Sequence, residues 1–151
     1  MQLQVAFYKG RSRFFNRLVS WWSRGPYSHC ELVTAHLNSG ALCWSSSFID
    51  GGVRLKVIRL DPEHWDLVDV PATEAQAAAA VAWFKAHEGR PYDVRGLLGL
   101  VWRPAEHDKD RWYCNEAIGE ALGVGDAWRL DPNGLYSLFT YSAGGFQNAT
   151  D

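Results

Sequence analysis

The chain has 151 residues, the length of one ordinary domain, which excludes two separate catalytic domains. Hydrophobic residues make up 47% and charged residues 21% of the chain, as in globular proteins. The formal net charge of -2 excludes the broad cationic surface of a dedicated nucleic-acid-binding protein, so we expect no nucleic-acid partner.

The first half of the chain predicts mainly strands. Alternating polar and apolar residues predict strands over residues 3–8, 28–35, 42–48 and 53–60, and residues 65–70 form a further strand or a loop. Turn-forming residues between 36 and 41 join the second and third strands into a hairpin. One helix interrupts this series, beginning after Ser12 and ending at Gly25.

The second half predicts helices. Thr73 and Gln76 form a capping box for a helix that ends near Gly89, with Ala77, Ala80, Val81 and Phe84 on its inner face. Asp93 caps a second helix over residues 94–102, and a third begins near Cys114 and ends before Gly123. Strands followed by helices predict a single α+β domain over residues 1–151, an antiparallel sheet packed against helices.

The three cysteines, Cys30, Cys43 and Cys114, lie far apart, unlike those of zinc ribbons or disulfide scaffolds. We expect free thiols, a reducing compartment and no cofactor, because a zinc site built from these cysteines and His29 lacks ligand spacing. The first residues lack the apolar core of a secretory signal, and no apolar stretch is long enough to cross a bilayer. Cytoplasmic synthesis and no membrane span are therefore expected.

The most reactive candidate is Cys114, at the first turn of a predicted helix. Unpaired backbone N–H groups and the positive end of the helix dipole there favour a thiolate over a thiol. Free cysteines are also among the most often buried residues, and Cys114 continues an apolar stripe. Taken alone, the residue fits a core position better than a catalytic one.

A second candidate is His29, on a predicted strand whose alternation places Glu31 on the same face and Cys30 on the opposite one. A histidine beside a carboxylate on a rigid strand can act as an oriented base. If His36 pairs with Ala41, then Ser46 lies opposite Glu31 and diagonal to His29. Either Glu31 or Ser46 is thus a candidate to orient the imidazole.

Five short motifs, taken in order, carry a resemblance to a known family. They are Tyr27-Ser28-His29-x-Glu31, Gly51-Gly52-Val53-Arg54, Gly89-Arg90-Pro91-Tyr92-Asp93, Tyr113-Cys114-x-Glu116 and Asp131-Pro132-x-x-Leu135-Tyr136. The chain resembles the circularly permuted branch of the NlpC-like, papain-fold cysteine hydrolases, which includes YiiX-like and phage-encoded proteins. In that branch the histidine precedes the cysteine, as it does here.

The resemblance implies Cys114 as the nucleophile and His29 as the general base of a cysteine peptidase or amidase. The backbone N–H of Cys114 is then the expected oxyanion donor, and Tyr27, Trp112 and Tyr113 are expected to bind substrate. A peptide is the expected substrate, with peptidoglycan stem peptides favoured by the phage-like setting, and the virion or the cell envelope is an expected destination.

Two alternatives stay open. One is a lipid-directed acyl hydrolase or acyltransferase with the same pair, whose acyl-binding wall is formed by Phe14, Phe15, Trp21 and Trp22. The other is an inactive phage structural or binding protein that keeps the fold. The oligomeric state is not indicated by the sequence.

Overall fold

The computed structural model describes residues 3–10, 25–93 and 111–145. Five strands form one antiparallel sheet in the order β4-β3-β2-β1-β5. The strands are β1 (Leu3–Tyr8), β2 (His29–Leu37), β3 (Gly40–Ser47), β4 (Gly52–Ile58) and β5 (Trp65–Val70). Helices follow the strands along the chain, which confirms the predicted α+β class.

Three helices lie in the described part of the chain. They are α1 (Glu74–His87), α2 (Cys114–Ala121) and α3 (Pro132–Gly145), with a short 3-10 turn at Ala127–Arg129. The capping box predicted for α1 is present, since Thr73 Oγ1 accepts the Gln76 backbone N–H at 3.2 Å and Gln76 Oε1 accepts the Thr73 N–H at 2.9 Å. Its predicted inner face is buried except at Val81, which remains partly exposed.

The C-terminal helix α3 was not expected from the sequence. Its glycines and hydroxyl-bearing residues have low helix propensity, which hides it from pattern analysis. In the fold, Asp131 accepts the Gly134 N–H at 2.6 Å, and Leu135 and Phe139 bury one side of the helix in the core. Tertiary packing therefore stabilises a helix that local propensity does not favour.

Several expectations fall outside the described residues. These are the helix after Ser12, the helix over residues 94–102, and the acyl-binding wall of Phe14, Phe15, Trp21 and Trp22. Within the described ranges, no helix has the length and apolarity needed to cross a membrane.

A β-bulge in the β2–β3 hairpin decides which side chains meet. His36 pairs with Ala41 as predicted, but the register shifts between Val33 and Ala35, so that Leu32 lies opposite Trp44. The predicted pairing of Glu31 with Ser46 is therefore wrong by one residue. Continuing the shifted register places Ser45 opposite Glu31, because the bulge inserts an extra residue into β2.

The two faces of the sheet differ in what covers them. The face that carries Phe7, Cys30 and Leu32 packs against helices in the main core, together with Ile118 and Leu135. A smaller cluster around Val33 and Cys43 covers the other face. Strand alternation therefore directs Cys30 into the core that also contains α2.

Candidate active site

Cys114 is the first residue of α2 and lies at the junction between this helix and the sheet. The neighbouring residue Asn115 fixes the start of the helix by donating its side-chain amide to the carbonyl of Leu130. Glu116 Oε2 accepts the backbone N–H of Tyr113 at 3.4 Å. Cys114 is 4% exposed, so its sulfur is held among protein groups.

His29 is the first residue of β2, and its ring lies at the end of the strand, where the start of α2 can reach it. Its Nε2–H donates to Glu31 Oε1 at 2.7 Å. The ring lies near enough to the Cys114 sulfur for the two groups to shift each other's pKa, and the sulfur's hydrogen-bond partner is Asn115 Oδ1 at 3.8 Å. Because Nε2 is bound to the carboxylate, Nδ1 is the nitrogen left for the sulfur. The His29 side chain is 21% exposed, so the imidazole is accessible to solvent.

His29 and Cys114 shift each other's pKa. The neighbouring Cys30 thiol lowers the pKa of Cys114 most, burial opposes this, and His29 lowers the pKa further, to well below its usual value. Burial alone would lower the pKa of His29, but the Cys114 thiolate and then Glu31 raise it to about 10. Both shifts favour the thiolate form of Cys114 and the imidazolium form of His29.

Glu31 is held by a guanidinium as well as by His29. Arg54 Nη1 donates to Glu31 Oε2 at 2.7 Å and Arg54 Nη2 donates to Oε1 at 2.5 Å, a bidentate ion pair. Arg54 lies across β3 from Glu31, opposite the small residue Ser45, and reaches over it. Its Nε donates to Asp50 Oδ2 at 2.8 Å, which fixes the guanidinium from the other side.

This ion pair keeps Glu31 charged although the residue is only 1% exposed. Burial alone would raise the pKa of the carboxyl group, but the hydrogen bonds from Arg54 and then His29 lower it below its usual value. A permanent negative charge beside Nε2 fixes the tautomer of the imidazole and stabilises its protonated form. In the sequence, Arg54 stands out only as part of the Gly51-Gly52-Val53-Arg54 motif. Its pairing with Glu31 depends on the strand register set by the bulge, which no sequence pattern indicates.

Of the two candidates for the orienting residue, Glu31 contacts the imidazole and Ser46 does not reach that position. The Ser46 hydroxyl donates instead to the carbonyl of Trp112, immediately before the start of α2. The physical reason is the register shift, which moves Ser46 away from Glu31. Ser46 therefore attaches the β3 strand to the segment that leads into Cys114.

The three aromatic residues expected to bind substrate are all buried. Tyr27 donates its hydroxyl to Asp66 Oδ2 at 2.7 Å, and the Tyr113 hydroxyl donates to the carbonyl of Trp128. Trp112 packs edge-on against Trp83. The fold uses these side chains to position the segments on either side of His29 and Cys114, so the structure offers none of them as an open contact surface.

Two motifs of the family resemblance meet in space. The backbone N–H of Val53 donates to the carbonyl of Arg90 at 2.9 Å, and Gly52 pairs with Pro91. A Cβ on Gly52 would lie 1.9 Å from the Arg90 carbonyl oxygen, and its φ of +148° disfavours other residues. Glycine at this position therefore lets the segment at Arg90 close over the start of β4, next to Arg54.

In the part of the chain that the structure describes, the side chains around Cys114 are not grouped as metal ligands are. Within the described ranges, the one group whose three candidate ligand atoms lie within 4.8 Å of one another is the exposed set Asp61, Glu63 and His64. His29, Cys30, Cys43 and Cys114 do not provide three such atoms at one point.

A scan against models of protein families finds no match for this chain, and no curated protein matches it. Solved structures do match. One is the crystal structure of YiiX from Escherichia coli O157:H7, described as a metalloprotein, with a TM-score of 0.56 and 19% sequence identity. The match covers 82% of this chain and 67% of that one. At this identity the likeness shows the fold alone, and the chain has a YiiX-like fold.

Proposed function

We propose that the chain is a cysteine hydrolase of the peptidase or amidase class, with Cys114 as nucleophile and His29 as general base. The observation that supports this most strongly is the position of the imidazole, which donates to Glu31 and lies near enough to Cys114 that each raises or lowers the other's pKa. A thiolate at a helix start, an imidazolium beside it and a carboxylate behind the ring are the parts of an acyl-transfer site. The resemblance to permuted NlpC-like hydrolases and the YiiX-like fold agree with it.

The proposed reaction has two steps. The Cys114 thiolate attacks the carbonyl carbon of an amide, and His29 gives its proton to the leaving amine, which leaves a thioester on Cys114. Neutral His29 then accepts a proton from water as the water attacks the thioester, and the carboxylic acid is released while the thiolate is regenerated. Glu31 stays ionised throughout, because Arg54 holds it in that state.

The backbone N–H of Cys114 is the proposed oxyanion donor. As the first residue of α2, it belongs to the four N–H groups without a partner inside the helix. One such donor contributes about 3 kcal/mol to the transition state in acyl-transfer enzymes. The position suits the role, since attack by the sulfur brings the carbonyl oxygen towards the start of the same helix.

A peptide amide is the proposed substrate, with peptidoglycan stem peptides as the first class to test. The test is turnover of stem peptides by the purified chain, with Cys114→Ala as the inactive variant and Cys43→Ala as the matched control. Cys43 lies in the other core cluster, away from Cys114. We expect hydrolysis that is lost in the first variant and retained in the second. Turnover of ester lipids alone would overturn the amidase assignment in favour of a lipid-directed acyl hydrolase.

A further inference from the structure

A linking segment, residues 128–133, connects the two elements that carry the candidate pair. The residue before the candidate nucleophile and the residue after it both form hydrogen bonds to backbone carbonyls of this segment. The Tyr113 hydroxyl donates to the carbonyl of Trp128, and the Asn115 side-chain amide donates to the carbonyl of Leu130. The first part of the linking segment is thus attached to the start of α2 on both sides of the nucleophile.

The last residue of the linking segment binds the chain just before β2. Tyr27, two residues before His29, donates its backbone N–H to Asn133 Oδ1 at 3.0 Å, and Asn133 Nδ2 donates to the Tyr27 carbonyl at 3.0 Å. The side-chain amide of Asn133 therefore satisfies both backbone groups of Tyr27, as a neighbouring strand would. Tyr136, one helical turn after Asn133, packs against the same residue, with the two ring centroids 4.5 Å apart.

We propose that Asn133 is a positioning residue, whose hydrogen bonds to the segment before β2 set the distance between His29 and Cys114. This role rests on the proposed function, because it concerns the pair that performs the proposed reaction. Apolar packing holds a strand against a helix without direction, whereas two hydrogen bonds fix the backbone in a defined place. A misplacement of about 1 Å between reacting groups can cost about a hundredfold in rate, so a defined place matters for catalysis.

The fold leaves space for this amide at Gly25. A Cβ on Gly25 would lie 2.1 Å from Asn133 Oδ1 and 2.8 Å from Nδ2, so a larger residue there would displace the side chain. Asn133 is only half-buried, which gives its side chain room to move aside. Replacing this glycine therefore breaks the two hydrogen bonds to Tyr27 while Asn133 itself is unchanged.

The test combines turnover of stem peptides with timed iodoacetamide labelling of Cys114 in two variants. Asn133→Leu removes both hydrogen bonds at nearly constant side-chain volume, and Gly25→Ala displaces the amide. In each variant we expect kcat to fall by about tenfold or more with KM nearly unchanged, because a misplaced imidazole weakens the transition state and leaves substrate binding intact. The labelling rate of the unchanged chain should be nearly flat from about pH 6 to about pH 8, and in both variants it should rise with pH.

Two control variants separate positioning from stability. Gly125→Ala adds the same methyl group at an exposed glycine, where the new Cβ meets open space, and Thr73→Ala removes the N-terminal cap of α1. Both should keep the kcat and the pH profile of the unchanged chain, although Thr73→Ala should unfold at a lower urea concentration.

The outcomes distinguish this role from the proposed function. If Asn133→Leu and Gly25→Ala keep both the kcat and the pH profile of the unchanged chain, the positioning role is rejected and the hydrolase stands. If no variant hydrolyses peptides but the pH profile of labelling changes in these two alone, the hydrolase is rejected and the positioning role stands. A profile that changes equally in Thr73→Ala would also overturn the positioning role, because loss of stability would then explain it.

Discussion

Cys114 and Cys43 are both buried thiols, but their pKa values are shifted in opposite directions. Cys43 lies on β3, where its S–H donates to the carbonyl of Ala41 at 3.4 Å and burial raises its pKa to about 12. Cys114 is as deeply enclosed, yet Cys30 and His29 lower its pKa well below the usual value. The comparison indicates that burial disfavours a thiolate and that the groups around a buried sulfur decide whether its pKa rises or falls.

The largest expected effect comes from removing the imidazole. In His29→Ala, we expect the rate of iodoacetamide labelling of Cys114 near neutral pH to fall about a hundredfold, towards the slow rate of Cys43, because the thiolate loses its cation. Peptide mass spectrometry after timed labelling measures all three cysteines at once. A variant in which Cys114 still labels as fast as in the unchanged chain would remove His29 from the proposed mechanism.

The pH dependence should separate the two thiols further. While the pH is below the pKa of an ordinary thiol, the fraction present as thiolate rises about tenfold for each unit by which the pH increases. The pKa of Cys114 is lowered and that of His29 is raised to about 10, so the ion pair persists between these values. We expect the Cys114 labelling rate to stay nearly flat from about pH 6 to about pH 8, while Cys43 stays slow. A tenfold rise per unit at Cys114 would contradict the ion pair.

Removing the negative charge of Glu31 should slow the labelling of Cys114 less than removing the imidazole does. It should also lower the free energy of unfolding. Glu31→Gln leaves Arg54 partly buried beside a neutral amide, which is expected to cost about 3 kcal/mol in the free energy of unfolding measured with urea. Labelling of Cys114 should slow by about tenfold as the pKa of His29 falls. The matched control is Asp126→Asn at the exposed Arg129–Asp126 ion pair, where about 1 kcal/mol or less is expected.

The same pair of variants tests the sign of the pH effect. The pKa of Glu31 in the folded chain lies below its unfolded value of 4.5, so its contribution is present above that value and is lost as the pH falls through the folded pKa. The difference between Glu31→Gln and the unchanged chain should therefore shrink on acidification below about pH 4. A difference that stays constant to low pH would mean that the carboxylate charge is not what stabilises the site.

The smallest effect is expected at Cys43. Cys43→Ser should leave Cys114 labelling unchanged and alter the free energy of unfolding by about 1 kcal/mol, because a serine hydroxyl can donate to the Ala41 carbonyl as the thiol does. Thermal unfolding together with timed labelling measures both quantities. A change in Cys114 reactivity would mean that the two core clusters are coupled across the sheet.

Local patterns in the sequence predicted the strands and α1, and with the family resemblance they indicated Cys114 and His29 as the candidate pair. Alternation predicted the strands, and the Thr73–Gln76 capping box predicted where α1 begins. The position of Cys114 at a helix start, read with the family resemblance, singled out its sulfur. These features depend on neighbours a few residues apart, which is why they are visible in the amino-acid order.

Only the tertiary structure decided which groups surround the pair. The bulge between Val33 and Ala35 replaced Ser46 with Ser45 opposite Glu31 and let Arg54 reach the carboxylate from β4. The formation of α3 likewise depends on packing between segments far apart in the chain. A one-residue insertion or a docking helix changes long-range contacts without leaving a periodic signal, because strand register and helix packing are set by the whole core.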